Sequence, residues 1–122
     1  MPRPTRAAAE LLPLPASDFQ ILLALGDAER HGYGIMREVA ARTDDEVQLG
    51  PGTLYGAVKR LLATGLIEES EARPDAELDD ERRRYYRITT LGRQAAAAEA
   101  RRMERLVAQA RRKRLLGRPE PA

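Results

Sequence analysis

Residues 50–67 read GPGTLYGAVKRLLATGLI, and the rest of the chain is best read outward from them. Pro51 is a favoured first-turn residue of a helix. Leu54, Ala57, Val58, Leu61 and Leu62 follow the i, i+3, i+4, i+7, i+8 spacing of a core-facing side. Gly65 stands where a C-terminal glycine closes the helix. Opposite the core side lie Gly52, Gly56, Lys59 and Ala63, flanked by Thr53, Tyr55 and Arg60. A glycine inside a helix costs roughly 1 kcal/mol relative to alanine, so Gly56 marks a place where the backbone must come close to something. Near the helix start, free N–H groups and the dipole suit a phosphate. Thr53 and Tyr55 can donate hydroxyl hydrogen bonds, and Lys59 and Arg60 can pair with phosphates or base edges. Such a helix suits the DNA major groove. An ordinary solvated face with a half-buried tyrosine accounts for the same residues.

Upstream, two more helices are expected. Ser17 is placed to cap a first helix over Asp18–Leu25, ended by Gly26. Its run FQILLAL is apolar nearly all round, which predicts the most buried helix. After the linker DAERHG, a second helix spans Gly32–Arg42, with Tyr33, Met36, Val39 and Ala40 on its inner side. Residues 1–15 are Pro-rich and are expected as a flexible arm, with one or two helical turns in AAAELL. Downstream, LIEES and RRYYRI read as antiparallel strands, with Tyr86 and Ile88 on one face. Thr89 or Thr90 caps a long last helix from Leu91 to about Leu116. The fold expected is mainly α with a small β-hairpin. It comprises a winged helix-turn-helix domain over 16–90, a C-terminal dimerisation helix over 91–116, and a disordered tail over 117–122.

Composition narrows the class. The chain has 122 residues, a third of them charged, and a formal net charge of +2. Charge distribution therefore matters more than its total. The absence of cysteine excludes disulfides and Cys-based metal sites and fits a reducing cytoplasm. No apolar run approaches the ~20 residues of a membrane span. His31 is the only histidine, so it lacks partners for a metal site or general base. It reads as a hydrogen-bonding residue at the mouth of the second helix. No GK[ST] follows the HGYG and GPG segments, which excludes a phosphate-binding loop. No catalytic constellation, cofactor or metal is indicated. The reading is a soluble, cytoplasmic, non-enzymatic protein.

Arg82, Arg83, Arg84 and Arg87 cluster at the start of the second strand. They can clamp a sugar–phosphate backbone, or they can simply solubilise an edge strand. Taken together, HGYGI at 31–35, GPGTLYGAVKRL at 50–61, GLIEE at 65–69, RRRYYRIT at 82–89 and LGR at 91–93 resemble the PadR family of bacterial transcriptional regulators. The resemblance covers about residues 17–116. It implies that the third helix reads DNA, that the strand pair is the wing and that the terminal helix makes a dimer. The implied DNA contacts are Tyr33, Thr53, Tyr55, Lys59 and Arg82–Arg84. Tyr33 would reach a phosphate, with packing against the first helix as its alternative. One feature departs from the pattern: between Glu68 and Glu81 there are eight acidic residues and one arginine. Phosphates would repel that tip, so only the base of the wing is expected to touch DNA.

In the last helix Ala96, Ala100, Met103, Val107 and Ala110 step by four and three, the spacing of a seam against another helix. A homodimer is expected, with its reading helices on half-sites about one helical turn apart in a palindromic operator. Residues 101–114 carry seven basic side chains and one Glu, a solvated face or a source of nonspecific attraction to DNA. Relatives that stack flat ligands between these helices use aromatic residues there. This helix has none after Tyr86, so a small-molecule effector is not indicated. The sequence-level conclusion is a dimeric DNA-binding repressor. The competing class is a winged-helix protein-interaction module that leaves DNA alone.

Overall fold

The structure, a computed structural model, describes residues 6–70 and 84–117. Among these residues five helices and three short strands follow in the order α1 (Arg6–Glu10), α2 (Ala16–Ala24), β1 (Arg30–His31), α3 (Gly32–Arg42), α4 (Pro51–Ala63), β2 (Ile67–Ser70), β3 (Tyr85–Ile88) and α5 (Thr90–Arg112). The expected mainly helical winged-helix fold is present. Its wing is a three-stranded antiparallel sheet of order β1-β3-β2 rather than a simple hairpin. The extra strand pairs Arg30 with Tyr86 and His31 with Tyr85. Two residues cannot show an alternating pattern, so nothing in the linker DAERHG marks β1.

α2 is the central helix and touches α3, α4 and α5. Ile21, Leu22 and Leu25 are fully buried against Ile35 and Val39 of α3 and against Leu54, Ala57 and Leu61 of α4. Leu23 nevertheless faces outward. Two expected core positions are corrected. Leu62 is exposed, because the helix turns it past the α2 contact, and Tyr33 stands out from α3 while Ile35 and Val39 fill its inner side. Ser17 does not cap α2. Pro15 occupies the cap position, and the Ser17 hydroxyl lies 3.3 Å from Asp18 Oδ1.

The turn after α4 follows from Gly65. At φ +77° it is in the left-handed region that glycine tolerates. The Gly65 N–H donates to the Leu62 carbonyl and the Leu66 N–H to the Leu61 carbonyl, closing the helix as a Schellman turn. Leu66 and Ile67 then enter the core, with Tyr86 packed beside them.

Residues 6–15, expected as part of a flexible arm, pack on α5. Ala8 and Leu14 are buried, and the Leu14 N–H donates to Glu99 Oε2 at 2.6 Å. Glu99 itself is fully buried and accepts from Arg102. The first half of α5 therefore has a core of its own through Gly92, Ala95, Ala98 and Glu99. Beyond Met103 almost every residue is exposed. Of the two threonines that could cap α5, Thr89 does so, accepting from the Gly92 N–H and donating to the Gly65 carbonyl.

Candidate nucleic-acid interface

α4 starts without a side-chain cap, and its N-cap Gly50 is extended. Gly50, Pro51, Gly52 and Thr53 are exposed, leaving the first-turn N–H groups of Gly52 and Thr53 open to an anion. A methyl group placed on Gly52 would meet nothing within 4 Å. One on Gly56 would meet only Arg60 Nη1, at 3.9 Å. Neither glycine is therefore demanded by packing inside the chain. Lys59 is exposed on the same side and makes no ion pair among the described residues.

Tyr55 is tied into the fold through its ring. A methyl group on Gly32 would lie 2.7 Å from the Tyr55 hydroxyl oxygen and 3.1 Å from two ring carbons. Gly32 thus lets the α4 tyrosine lie against the start of α3, with about a third of that residue still exposed. His31 caps α3: its Nδ1 accepts from the Gly34 N–H at 2.8 Å, which leaves the ring proton on Nε2. The His31 ring meets Tyr85 of β3 edge-on at 5.2 Å and lies 6.4 Å from Tyr33. Tyr33 is 59% exposed and carries the Arg37 guanidinium 5.8 Å from its ring centre. The α3 start, the first turns of α4 and the base of the wing therefore meet at one corner, and Tyr33, Tyr55 and the Arg84–Tyr85 step converge there.

Three arginines of this region, Arg60, Arg84 and Arg87, are engaged within the chain. Arg60, placed by its spacing beside the outer strip of α4, turns back to α2, where Nη2 lies 2.8 Å from Asp18 Oδ1. Hydrogen bonding to that carboxylate, then its charge, raises the Arg60 pKa above its ordinary value. Arg84 pairs with Glu69 at 3.4 Å. Across the strands Arg87 pairs with Glu68 at 2.7 Å and lies 3.9 Å from Glu29. Arg82, Arg83 and the part of the acidic tip over residues 71–81 lie outside the described residues.

The seam residues of α5 divide at the middle of the helix. Ala96 and Ala100 are half-buried near the domain, whereas Met103 and Val107 are exposed and Ala110 is half-exposed. Phe19 of α2 joins Ala100, Met103 and Val107 along an open apolar groove. Sequence spacing missed Asp18 and Glu99, both buried carboxylates. For Glu99 a signal was present. Gly92, Ala95, Glu99 and Arg102 share one helical face, and the first two are small enough for close packing.

No group of three or more metal-ligating side chains occurs among the described residues, and none of their helices is long and apolar enough to cross a membrane. Residues 21–98 match the family model of the transcriptional regulator PadR-like family. The transcriptional regulator Rv3488 of Mycobacterium tuberculosis is 37% identical over 86 residues, covering 70% of this chain and 74% of that protein. A transcriptional regulator from Clostridium thermocellum has a similar structure, with a TM-score of 0.66 at 29% identity, over 80% of this chain and 87% of that one. A PadR family transcription regulator from Clostridium difficile R20291 gives a TM-score of 0.60 at 27% identity, over 84% of this chain and 100% of that one.

Proposed function

This chain belongs to the PadR-like family of transcriptional regulators, and from that premise we propose that it binds duplex DNA as a homodimer and represses by occluding a promoter. The observation that carries the reading is the outer side of α4. It is exposed except at half-buried Gly56, it bears two glycines that no internal contact requires, and it sets Thr53, Tyr55 and Lys59 around them. Glycines of that kind are useful when another backbone must come close. Here that backbone is a DNA strand. The α4 helix enters the major groove, its open N–H groups meet a phosphate, and Lys59 reads a base edge. Tyr33 and the base of the wing, with Arg82–Arg84, hold the flanking backbone. Two such surfaces related by two-fold symmetry fit a palindromic operator.

Selection from random duplex DNA tests binding, palindromy and spacing together. Affinity for the selected operator should fall steeply with salt, because phosphate contacts release counterions. Salt-independent behaviour, or no selected sequence at all, would leave the protein-interaction module as the better reading. Lys59→Ala should lose about 1–3 kcal/mol of operator affinity and relax the preference at one base pair. Unchanged affinity and unchanged preference would remove Lys59 from the interface.

Gly56→Ala separates folding from binding at the same surface. The added methyl meets only ordinary contact in the free chain. Helix propensity should then raise stability by up to about 1 kcal/mol. Operator affinity should fall, because the methyl stands between the two backbones. A variant that gains stability and keeps full affinity would show that the duplex does not approach α4 at this turn.

A further inference from the structure

We propose that Asp18 is a specificity-determining residue that acts by holding Arg60 off the DNA. The inference rests on the DNA-binding reading above and extends it to a residue on a different helix.

Asp18 lies in the first turn of α2 and is 5% exposed. Its Oδ1 is met by Arg60 Nη2 at 2.8 Å and by the Ser17 hydroxyl at 3.3 Å. The Arg60 side chain remains 54% exposed. Arg60 follows Gly56 by one helical turn, so the two share a face of α4. Long helical side chains lean toward the N-terminal end of their helix. Accordingly, Arg60 Nη1 passes 3.9 Å from the position a methyl on Gly56 would take. The guanidinium thus passes beside Gly56, next to the turn assigned to backbone approach, with its Nη2 end on the carboxylate of α2. It is turned away only by the carboxylate on α2. Released, it would extend over Gly56 toward any duplex lying there.

A flexible cation at that place makes phosphate contacts on every sequence alike. Non-specific binding consists almost wholly of such contacts. The Asp18–Arg60 pair adds a polar contact to the apolar packing that already seats α4 on α2. Asp18 therefore restrains non-specific attraction at the reading helix through one contact. Lys59, the residue before it, remains as the outward cation of this turn.

The test uses the full chain, its selected operator and a short duplex of random sequence, each titrated from about 50 to 200 mM salt. Asp18→Asn keeps the side-chain shape and removes the charge. It should raise random-duplex affinity several-fold and steepen the slope of log affinity against log salt by about 0.9 for each additional phosphate neutralised. The operator-to-random affinity ratio should fall. Arg60→Gln alone should leave the slope at the wild-type value, and D18N/R60Q should return the steepened slope to it. A purely structural role for Asp18 would lower melting temperature and active fraction without changing either slope.

Arg60→Gln losing about 0.9 of slope would make Arg60 a phosphate contact and overturn the proposal. So would a wild-type slope in folded Asp18→Asn. If Asp18→Asn does not fold, the Arg60→Gln slope still decides. A wild-type chain that binds no DNA removes the functional reading and this inference together. A wild-type chain that binds with salt dependence, combined with either overturning result, removes the inference alone.

Discussion

Gly92→Ala is expected to destabilise the folded chain by about 3 kcal/mol, near the upper end of overpacking costs. The methyl group would enter the van der Waals envelope of the Leu66 carbonyl oxygen and lie 2.8 Å from Cγ1 of Ile88. Neither neighbour can move freely. The Leu66 carbonyl accepts from the Thr89 N–H at 3.1 Å, and the Leu66 N–H closes α4 by donating to the Leu61 carbonyl. The Thr89 hydroxyl spans the same corner, bonded to the Gly65 carbonyl at 2.6 Å and to the Gly92 N–H at 3.0 Å. Relief of the clash must therefore lift α5 from the α4–β2 turn or distort the turn itself. Alanine's better helix propensity returns roughly 1 kcal/mol or less, since Gly92 lies in the first turn. The measured consequence is a fall in melting temperature of roughly 10–20 °C at fixed protein concentration. A loss of under about 1 kcal/mol would mean that α5 is not seated on Leu66 as closely as the structure has it. The contrast with Gly56→Ala is diagnostic: one substitution type has opposite signs at two helical glycines, and the space around each decides which.

That contrast also bears on what is legible in a sequence. The periodicity of α4 locates the helix, its buried side and its glycine stop, because Leu54, Ala57, Val58 and Leu61 all pack in one direction. The wing strands and the Thr89 cap are legible for the same local reason. Pairings between distant residues are not. Nothing at position 60 announces Asp18, which lies 42 residues earlier. The Arg84–Glu69 and Arg87–Glu68 pairs depend on strand register, which separate strand patterns do not supply. Tyr33 illustrates the limit of period alone. Its spacing from Met36 and Ala40 suggests the inner side, yet Ile35 and Val39 fill the core and leave the tyrosine outside. Exposure is the state its proposed phosphate contact requires. Residues 6–15 read as loose because Pro2, Pro4, Pro13 and Pro15 bracket a short alanine-rich piece, whereas Ala8, Leu14 and the Leu14–Glu99 hydrogen bond anchor them.

Val107→Glu should convert the proposed dimer to monomers and weaken binding to the proposed operator by at least about 100-fold, the scale of avidity lost when two linked sites become independent. α5 is 23 residues long, about 34 Å at 1.5 Å per residue, and only its first half is covered by the parent domain. The second half leaves Met103 37%, Leu106 48% and Val107 44% exposed, beside a groove floored by Ala100 and edged by Phe19. A second copy related by a two-fold axis would bury the same side chains from both protomers, so each substitution acts twice. A carboxylate at position 107 would then face its own copy across an apolar seam, where like charges cannot both be solvated. The monomer should tolerate the change. The new carboxylate would precede Arg111 by one turn, an arrangement that supports the helix, and Val107 makes no contribution to the buried core. Sedimentation and a thermal melt separate the outcomes: a folded monomer with weak operator binding is expected. A variant that still sediments as a dimer and binds at full strength would move the interface off this seam. Leu115 and Leu116, farther out on the same segment, would then be the side chains to charge next.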